Sequence, residues 1–163
     1  MGTQQILMVV LSVIVVGTAV AIGIQMFDTQ GQNQARNALV ADLMRMGVES
    51  QAWFRTPRIM GGGGSTTENM DGQHPWPSNH LELIVKYLDA NATVTGTSSG
   101  TIRNENGTYQ FSANIGANQP PVLTITGTAH YKSSTTIFAS ATVELDKGHQ
   151  GIVVNPHADP FTP

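Results

Sequence analysis

The sequence predicts an α+β fold, in which a long N-terminal α-helix, hydrophobic at first and then amphipathic, packs on a C-terminal antiparallel β-sheet domain. Three observations predict it. Residues 1–27 contain no charged side chain. Residues 25–54 contain no proline and place apolar side chains at helical spacing. From about residue 100 onward, apolar and polar side chains alternate, as they do in strands with one buried face.

Length, charge and cysteine content limit the class of protein. The 163 residues are enough for one domain with an appendage. A formal net charge of -3 argues against a nucleic-acid-binding protein that works through bulk electrostatic attraction. The chain has no cysteine, which excludes thiol catalysis, disulfide bonds and cysteine-ligated zinc. No set of acid, base and nucleophile is recognisable, so we expect neither an enzyme nor a cofactor.

The first predicted segment, residues 1–27, is a hydrophobic helix. Its apolar run, Ile6 to Ile24, has 19 residues and is interrupted only by glycine, serine and threonine. At ~1.5 Å of rise per residue it spans roughly 29 Å, close to the ~30 Å hydrocarbon core of a bilayer. In lipid it must be helical, because its backbone N–H and C=O groups find no other partners there. The segment is therefore predicted to reside in a membrane.

Two simpler interpretations of this segment stay open. A secretory signal peptide would have a basic region before a shorter apolar run, and this chain has neither feature. A plain membrane anchor for an exported domain is the stronger alternative, although such anchors are usually flanked by Lys or Arg and by interfacial Trp or Tyr. Here the first basic residue, Arg36, lies roughly 18 Å of helix beyond Ile24.

Residues 28–56 are predicted to continue the same helix with a single apolar stripe. Apolar side chains recur at spacings of four, four, three and seven from Ala35 onward, which places them on one helix face. On the opposite, solvated face we expect Arg45 to pair with Asp42 and with Glu49. The residues expected to pack the helix on the sheet are Leu39, Leu43, Met46 and Trp53.

Residues 57–80 are predicted to form a connecting loop rich in glycine and proline. The helix is expected to stop near Thr56-Pro57, because proline cannot continue a helical hydrogen-bond pattern. Gly61 to Gly64 is interpreted as a flexible connector and not as a phosphate-binding loop, since no strand leads into it and no lysine clearly follows.

Residues 81–163 are predicted to form the antiparallel sheet domain, or head. A short helix capped by Ser78 comes first, with an apolar face formed by Leu81, Ile84, Val85 and Leu88. The pair Asn106-Gly107 then indicates a two-residue type I′ hairpin. In that register Ile102 lies opposite Phe111, and Asn104 lies opposite Tyr109.

Three further strands are predicted from alternation. They cover residues 122–131, 136–145 and, more briefly, 151–154. The apolar stripe of the long helix is the expected partner of the inner sheet face. The predicted inward side chains are Leu123, Ile125, Ala129 and Tyr131 on the first, and Ile137, Ala139, Ala141, Val143 and Leu145 on the second.

The chain is predicted to contain an uncharged apolar helix, its amphipathic continuation and a C-terminal sheet, in that order. This arrangement resembles that of the type IV pilins. That group includes the type II secretion pseudopilins and, more distantly, the archaeal pilins. The resemblance covers the order of parts along the whole chain, but its specific motif is confined to residues 1–27. It implies a pilin-like fold, removal of a short basic leader by prepilin peptidase, and methylation of the new N-terminal residue, Met1.

Two features depart from the best-known bacterial pilins. Many of those have a glutamate at position five that is thought to pair with the terminal amine of a neighbouring subunit, whereas this chain has Gln4 and Gln5. Register between subunits is then expected to depend on amide hydrogen bonds and on shape. They also often have a proline near position 22 and a C-terminal disulfide, whereas this chain has Ile22 and no cysteine. Gly17 and Gly23 are the candidate positions at which the helix loosens instead.

The resemblance implies a structural subunit of an extracellular filament. Before assembly the subunit lies in the inner membrane, and the pilus assembly machinery then inserts it into the filament, where its partners are copies of itself. Adhesion, motility, DNA uptake and secretion are not distinguished. A membrane-anchored monomeric binding module and a type II secretion pseudopilin stay open as alternatives. The residues expected to pack in the filament core are Ile6, Val9, Val10, Val13, Ile14, Gly17, Ala19, Val20, Gly23 and Ile24.

Other motifs in the head give weak signals. His74 and His80 are interpreted as surface loop residues. Glu68 and Asp71 are weak evidence for a calcium site. No metal site is therefore predicted. Two Asn-x-Thr sequons, which begin at Asn91 and Asn106, are candidate glycosylation sites in an exported protein. The second also lies at the predicted hairpin tip, where Asn-Gly is explained by turn chemistry alone.

Overall fold

The chain folds as one long helix followed by a short helix and a six-stranded sheet. The computed structural model describes residues 2–64, 80–95, 99–114, 122–131 and 135–157. Two 3₁₀ turns lie at Arg58–Met60 and Gly148–Gly151. The elements in chain order are α1 (Gly2–Arg55), α2 (His80–Leu88), β1 (Thr93–Thr95), β2 (Ser99–Arg103), β3 (Thr108–Asn114), β4 (Val122–Tyr131), β5 (Thr135–Glu144) and β6 (Ile152–Asn155).

The sheet is a continuous antiparallel meander. Its spatial order is β1-β2-β3-β4-β5-β6, so each strand pairs with its neighbours in the sequence. The chain divides into two compact units, Met1–Gln34 and Ala35–Pro163. The second unit contains the last part of α1, which packs on the inner face of the sheet. The predicted α+β class is confirmed.

The core of the second unit is formed by one stripe of α1 and the inner sheet face. Leu39, Leu43, Met46 and Trp53 are all buried in it, together with Phe54. Close approach of the helix to the sheet depends on Gly47, since a Cβ there would lie 3.2 Å from the Val143 Cγ2 atom. The sheet residues of the core include Ile102, Tyr109, Phe111, Leu123, Ile125, Ala129, Ile137, Ala139, Ala141 and Val143, and Leu145 in the turn after β5 is buried with them.

The predicted end of α1 is confirmed, but the glycine run after it is not a flexible connector. The N–H of Gly63 donates to the Trp53 carbonyl and that of Gly64 to the Thr56 carbonyl, each at 2.9 Å. Gly61 and Gly64 have φ values of 84° and 83°, a left-handed conformation that glycine adopts without steric cost. These residues therefore close the end of the helix through ordered hydrogen bonds.

The short helix α2 packs its apolar face on β2. Leu81, Ile84 and Val85 are buried, and a Cβ at Gly100 would lie only 2.7 Å from the Val85 Cγ2 atom. The predicted cap, Ser78, lies outside the described residues. His80, interpreted from the sequence as a surface loop residue, is instead the first residue of α2 and only 3% exposed.

The predicted hairpin register is wrong by two residues. Ile102 pairs with Tyr109, not with Phe111, and the loop comprises residues 104–107. The predicted inner face survives, because a shift of two residues returns every side chain to the same side of a strand. A four-residue loop forms because the Asn104 Oδ1 atom accepts the N–H groups of Asn106 (2.9 Å) and Gly107 (3.0 Å).

The strands after the hairpin follow the predicted alternation. The predicted inward residues of β4 and β5 are buried except Tyr131, which is partly buried, and the threonines between them on β4 are partly exposed. The brief last strand is confirmed as β6. The sequence analysis did not identify β1, which has three residues, Thr-Val-Thr, and forms one edge of the sheet.

Candidate functional site

The most unusual surface of the described chain is the N-terminal part of α1. Fifteen large apolar side chains between Ile6 and Phe27 are exposed, with exposed fractions from 52% at Val10 to 76% at Met8. They surround the helix and do not form a single stripe, so no face of the segment is reserved for water. We call residues 2–27 the apolar segment.

The Ser12 and Thr18 hydroxyl groups of the apolar segment form hydrogen bonds within the helix. Ser12 Oγ donates to the Val9 carbonyl at 2.8 Å, and Thr18 Oγ1 donates to the Val15 carbonyl at 2.9 Å. These bonds reduce the cost of placing serine and threonine in an apolar environment, where a polar group without a partner is expensive. By length and composition, α1 is the one helix of the described residues that can cross a membrane.

Small residues create gaps along this apolar surface. No atom outside the neighbouring helix backbone lies within 4 Å of a Cβ built at Gly17 or at Gly23. Ala19 lies between them and is exposed, as are Gln4 and Gln5 near the start of the helix. Met1 lies outside the described residues. Glycine and alanine at such positions allow another helix backbone to approach closely.

The predicted core residues of the filament are all solvent-accessible in the single chain. Gly23 is partly covered and the remaining nine are exposed. Their surface is therefore available for lipid or for other protein chains. The nine are Ile6, Val9, Val10, Val13, Ile14, Gly17, Ala19, Val20 and Ile24.

A polar cluster in the second unit joins α1 to the β2–β3 loop, and the sequence analysis did not identify it. Asp42 Oδ2 accepts hydrogen bonds from Asn104 Nδ2 (2.8 Å), Asn106 Nδ2 (2.8 Å) and the Tyr109 hydroxyl (2.7 Å). We call these four residues the Asp42 cluster. The predicted partner of Asp42, Arg45, forms its salt bridge with Glu49 at 3.0 Å.

The electrostatics of the Asp42 cluster favour a charged carboxylate. Burial acts to raise the pKa of Asp42, but the hydrogen bonds from Asn106, Tyr109 and Asn104, helped by the charge of Arg45, outweigh it and hold the pKa below its ordinary value of 3.8. Burial, with the hydrogen bond to Asp42, raises the pKa of Tyr109 well above its ordinary value. The tyrosine therefore stays protonated and remains a donor to the carboxylate.

The remaining candidate sites are the metal ligands and the two glycosylation sequons suggested by the sequence. Glu68, Asp71 and His74 lie outside the described residues. Among the residues that are described, no group of three His, Asp or Glu side chains is placed to hold a metal ion. Asn91 lies exposed in the turn before β1, and Asn106 lies in the Asp42 cluster.

No protein family, curated protein or solved structure matches this chain. The described geometry shows a long apolar N-terminal helix that is compatible with membrane association, next in sequence to a folded head. Among the described residues, the apolar segment is the surface with the clearest physical need for a partner, because it is exposed, uncharged and apolar on all sides.

Proposed function

We propose that the chain is a structural subunit of an extracellular type IV pilus-like helical filament. It polymerises through the apolar segment, which lies in the inner membrane before assembly and among the same segments of neighbouring subunits afterwards. The observation that carries the proposal is the exposure of fifteen large apolar side chains on the uncharged apolar segment, which forms the first half of the continuous helix α1.

Exposure of the apolar segment to water is unfavourable, so the segment requires lipid or protein around it. Burial of one large apolar side chain contributes roughly 1.5–3 kcal/mol, so fifteen of them represent several tens of kcal/mol. Lipid chains are about as apolar as these side chains, so transfer from a bilayer to a helix bundle exposes no apolar surface to water. Under this proposal, packing at small residues such as Gly17, Ala19 and Gly23 supplies the preference for the bundle.

The resemblance to type IV pilins supports the remaining parts of the proposal. A prepilin peptidase would remove the leader and leave Met1 for methylation, and an assembly machinery would draw subunits from the membrane. Mass spectrometry of the N-terminal peptide of the native protein tests this step. Methylated Met1 is the expected result, and a retained leader would contradict the processing that we propose.

The central experiment is substitution in the apolar segment followed by electron microscopy of sheared cell-surface material. Val13→Asp places a charge among apolar side chains, at a cost of about 2.5–3.5 kcal/mol or more, and is expected to abolish filaments. Val13→Leu, the matched control, retains an apolar side chain and is expected to form them. Normal filaments from Val13→Asp would refute polymerisation through this segment.

A truncation separates the filament from its main alternative, a membrane-anchored monomeric binding module. A chain that starts near Asp28 is expected to yield a soluble, monomeric head, and filaments from it would contradict the proposal. For the full chain, filaments with a central helical core are expected on the cell surface. Detergent-bound monomers in the native material, without filaments, would favour the anchored module.

A further inference from the structure

The two sequons of the head differ in how their asparagine side chains are held. Asn106 Nδ2 donates to Asp42 Oδ2 at 2.8 Å, so the atom that a glycan would modify is directed at a carboxylate of α1. The next residue, Gly107, has no room for a side chain, because a Cβ there would lie 2.4 Å from the Thr128 carbonyl oxygen. A glycan on Asn106 Nδ2 would add a bulky group beside the Asp42 carboxylate, so modification there disfavours this hydrogen bond of the Asp42 cluster.

Asn91 has the opposite environment. It lies exposed in the turn between α2 and β1, and its backbone N–H donates to Asp89 Oδ1 at 2.9 Å. Within the described residues no hydrogen bond holds its side-chain amide. The third sequon residue, Thr93, is exposed at the start of β1. Among the described strands, β1 pairs only with β2 and forms one edge of the sheet.

We propose that Asn91 is the N-glycan acceptor of the folded head and that Asn106 is not. In the reaction, Asn91 Nδ2 attacks the anomeric carbon of a lipid-linked oligosaccharide. A C–N bond forms, the bond from the anomeric carbon to the phosphate oxygen breaks, the lipid phosphate leaves with the electron pair, and the amide nitrogen releases one of its two protons to solvent. The inference rests on the proposed function, because it requires that the head be exported.

A glycan at this position would have a further physical effect. Edge strands present unpaired backbone N–H and C=O groups that can pair with another chain, and natural proteins cover or interrupt such edges. A bulky, hydrated saccharide two residues before β1 would hinder pairing along that edge. Modification at Asn91 would thus favour contacts between subunits through α1 over contacts between sheets.

Trypsin places the two sequons on different peptides, which makes the test direct. Cleavage after Lys86, Arg103 and Lys132 yields peptide 87–103, with Asn91, and peptide 104–132, with Asn106. The full chain is purified from the surface of the cells that make it and analysed by glycopeptide mass spectrometry. We expect saccharide mass on peptide 87–103 only. Saccharide on peptide 104–132, or on neither peptide, would overturn the inference.

Three variants test whether the sequon itself is recognised. Thr93→Val removes the hydroxyl and is expected to abolish the saccharide mass, whereas Thr93→Ser is expected to retain it. Thr95→Val, at a second exposed position of the same strand, is the matched control and is expected to retain it. Saccharide that persists in Thr93→Val would overturn the inference. Filaments without saccharide would contradict this inference alone, and modified monomers without filaments would contradict the proposed function alone.

Discussion

Replacing Asp42 with alanine removes the one carboxylate oxygen that accepts hydrogen bonds from Asn104, Asn106 and Tyr109. The helix itself should persist, because alanine has the highest helix propensity. The substitution removes the hydrogen bonds between α1 and the β2–β3 loop. We therefore expect the variant to fold with reduced stability and with a β2–β3 loop that is no longer fixed to the helix.

The expected magnitude follows from the three donors. The Tyr109 hydroxyl belongs to a residue that is 0% exposed, and a buried donor left without a partner costs about 1–3 kcal/mol. The amides of Asn104 and Asn106 lie in an exposed loop and can turn to water, so together they add only about 1 kcal/mol. The three bonds share one oxygen and are not additive, so their sum is an upper range. We expect the free energy of unfolding to fall by about 1–4 kcal/mol.

Urea-induced unfolding of the truncated chain that starts near Asp28, monitored by circular dichroism, measures this decrease. Glu49→Ala is the matched control, since its carboxylate pairs with Arg45 on the exposed side of the same helix and should contribute below about 1 kcal/mol. Tyr109→Phe combined with Asp42→Ala should show a coupling energy of about 1–2 kcal/mol. If Asp42→Ala lowered stability no more than Glu49→Ala, the reasoning would be refuted.

The head should lose stability with acid in two separate pH ranges. The folded pKa of Asp42 lies below 3.8, so its contribution is complete above about pH 4 and is lost as the pH falls through the lower folded value. Burial, with a smaller effect of Arg58, lowers the pKa of His80 from 6.5 to about 4. Between those values the unfolded chain binds a proton that the folded chain does not, so stability falls by up to about 3 kcal/mol as the pH drops. His80→Gln should abolish this loss in urea titrations at pH 7 and pH 4.5, and an unchanged pH dependence would show that His80 is not its source. Leu43→Ala should lower the free energy of unfolding by about 2–5 kcal/mol, because Leu43 is 0% exposed, and a cost below about 1 kcal/mol would contradict its place in the core. Gly62→Ala should lower the melting temperature, because the new Cβ would lie 2.2 Å from the Thr56 carbonyl oxygen, and an unchanged melting temperature would argue against the ordered turn.

The long helix and the inner faces of β4 and β5 could be predicted because their signals are local. A proline-free run that ends at Thr56-Pro57 fixes α1, and strict alternation fixes which strand residues face inward. The exposed apolar surface of residues 6–27 could likewise be predicted from the sequence, because a helix of uncharged apolar residues has no polar face.

The partner of Asp42 could not be predicted from the sequence, because it depends on long-range contacts. Asp42 and Asn104 are separated by 62 residues, and local spacing pairs Asp42 with Arg45 instead. The Asn-Gly signal favours a two-residue loop, whereas the Asn104 side chain supplies acceptors for a longer one. His80 was misassigned because the nearby prolines indicated a surface loop, whereas His80 begins α2 and is buried.

The meander order of the strands has a consequence for how the head forms. Each strand pairs with the strand that precedes it, so the sheet can grow one hairpin at a time through contacts of low sequence separation, which favours rapid folding. Docking of the α1 stripe brings together residues of larger sequence separation and so carries the larger loop-closure entropy, and we expect it to follow sheet formation. Under the proposed function, the head would then be complete before polymerisation, since every strand-to-strand pairing is made within one newly synthesised chain.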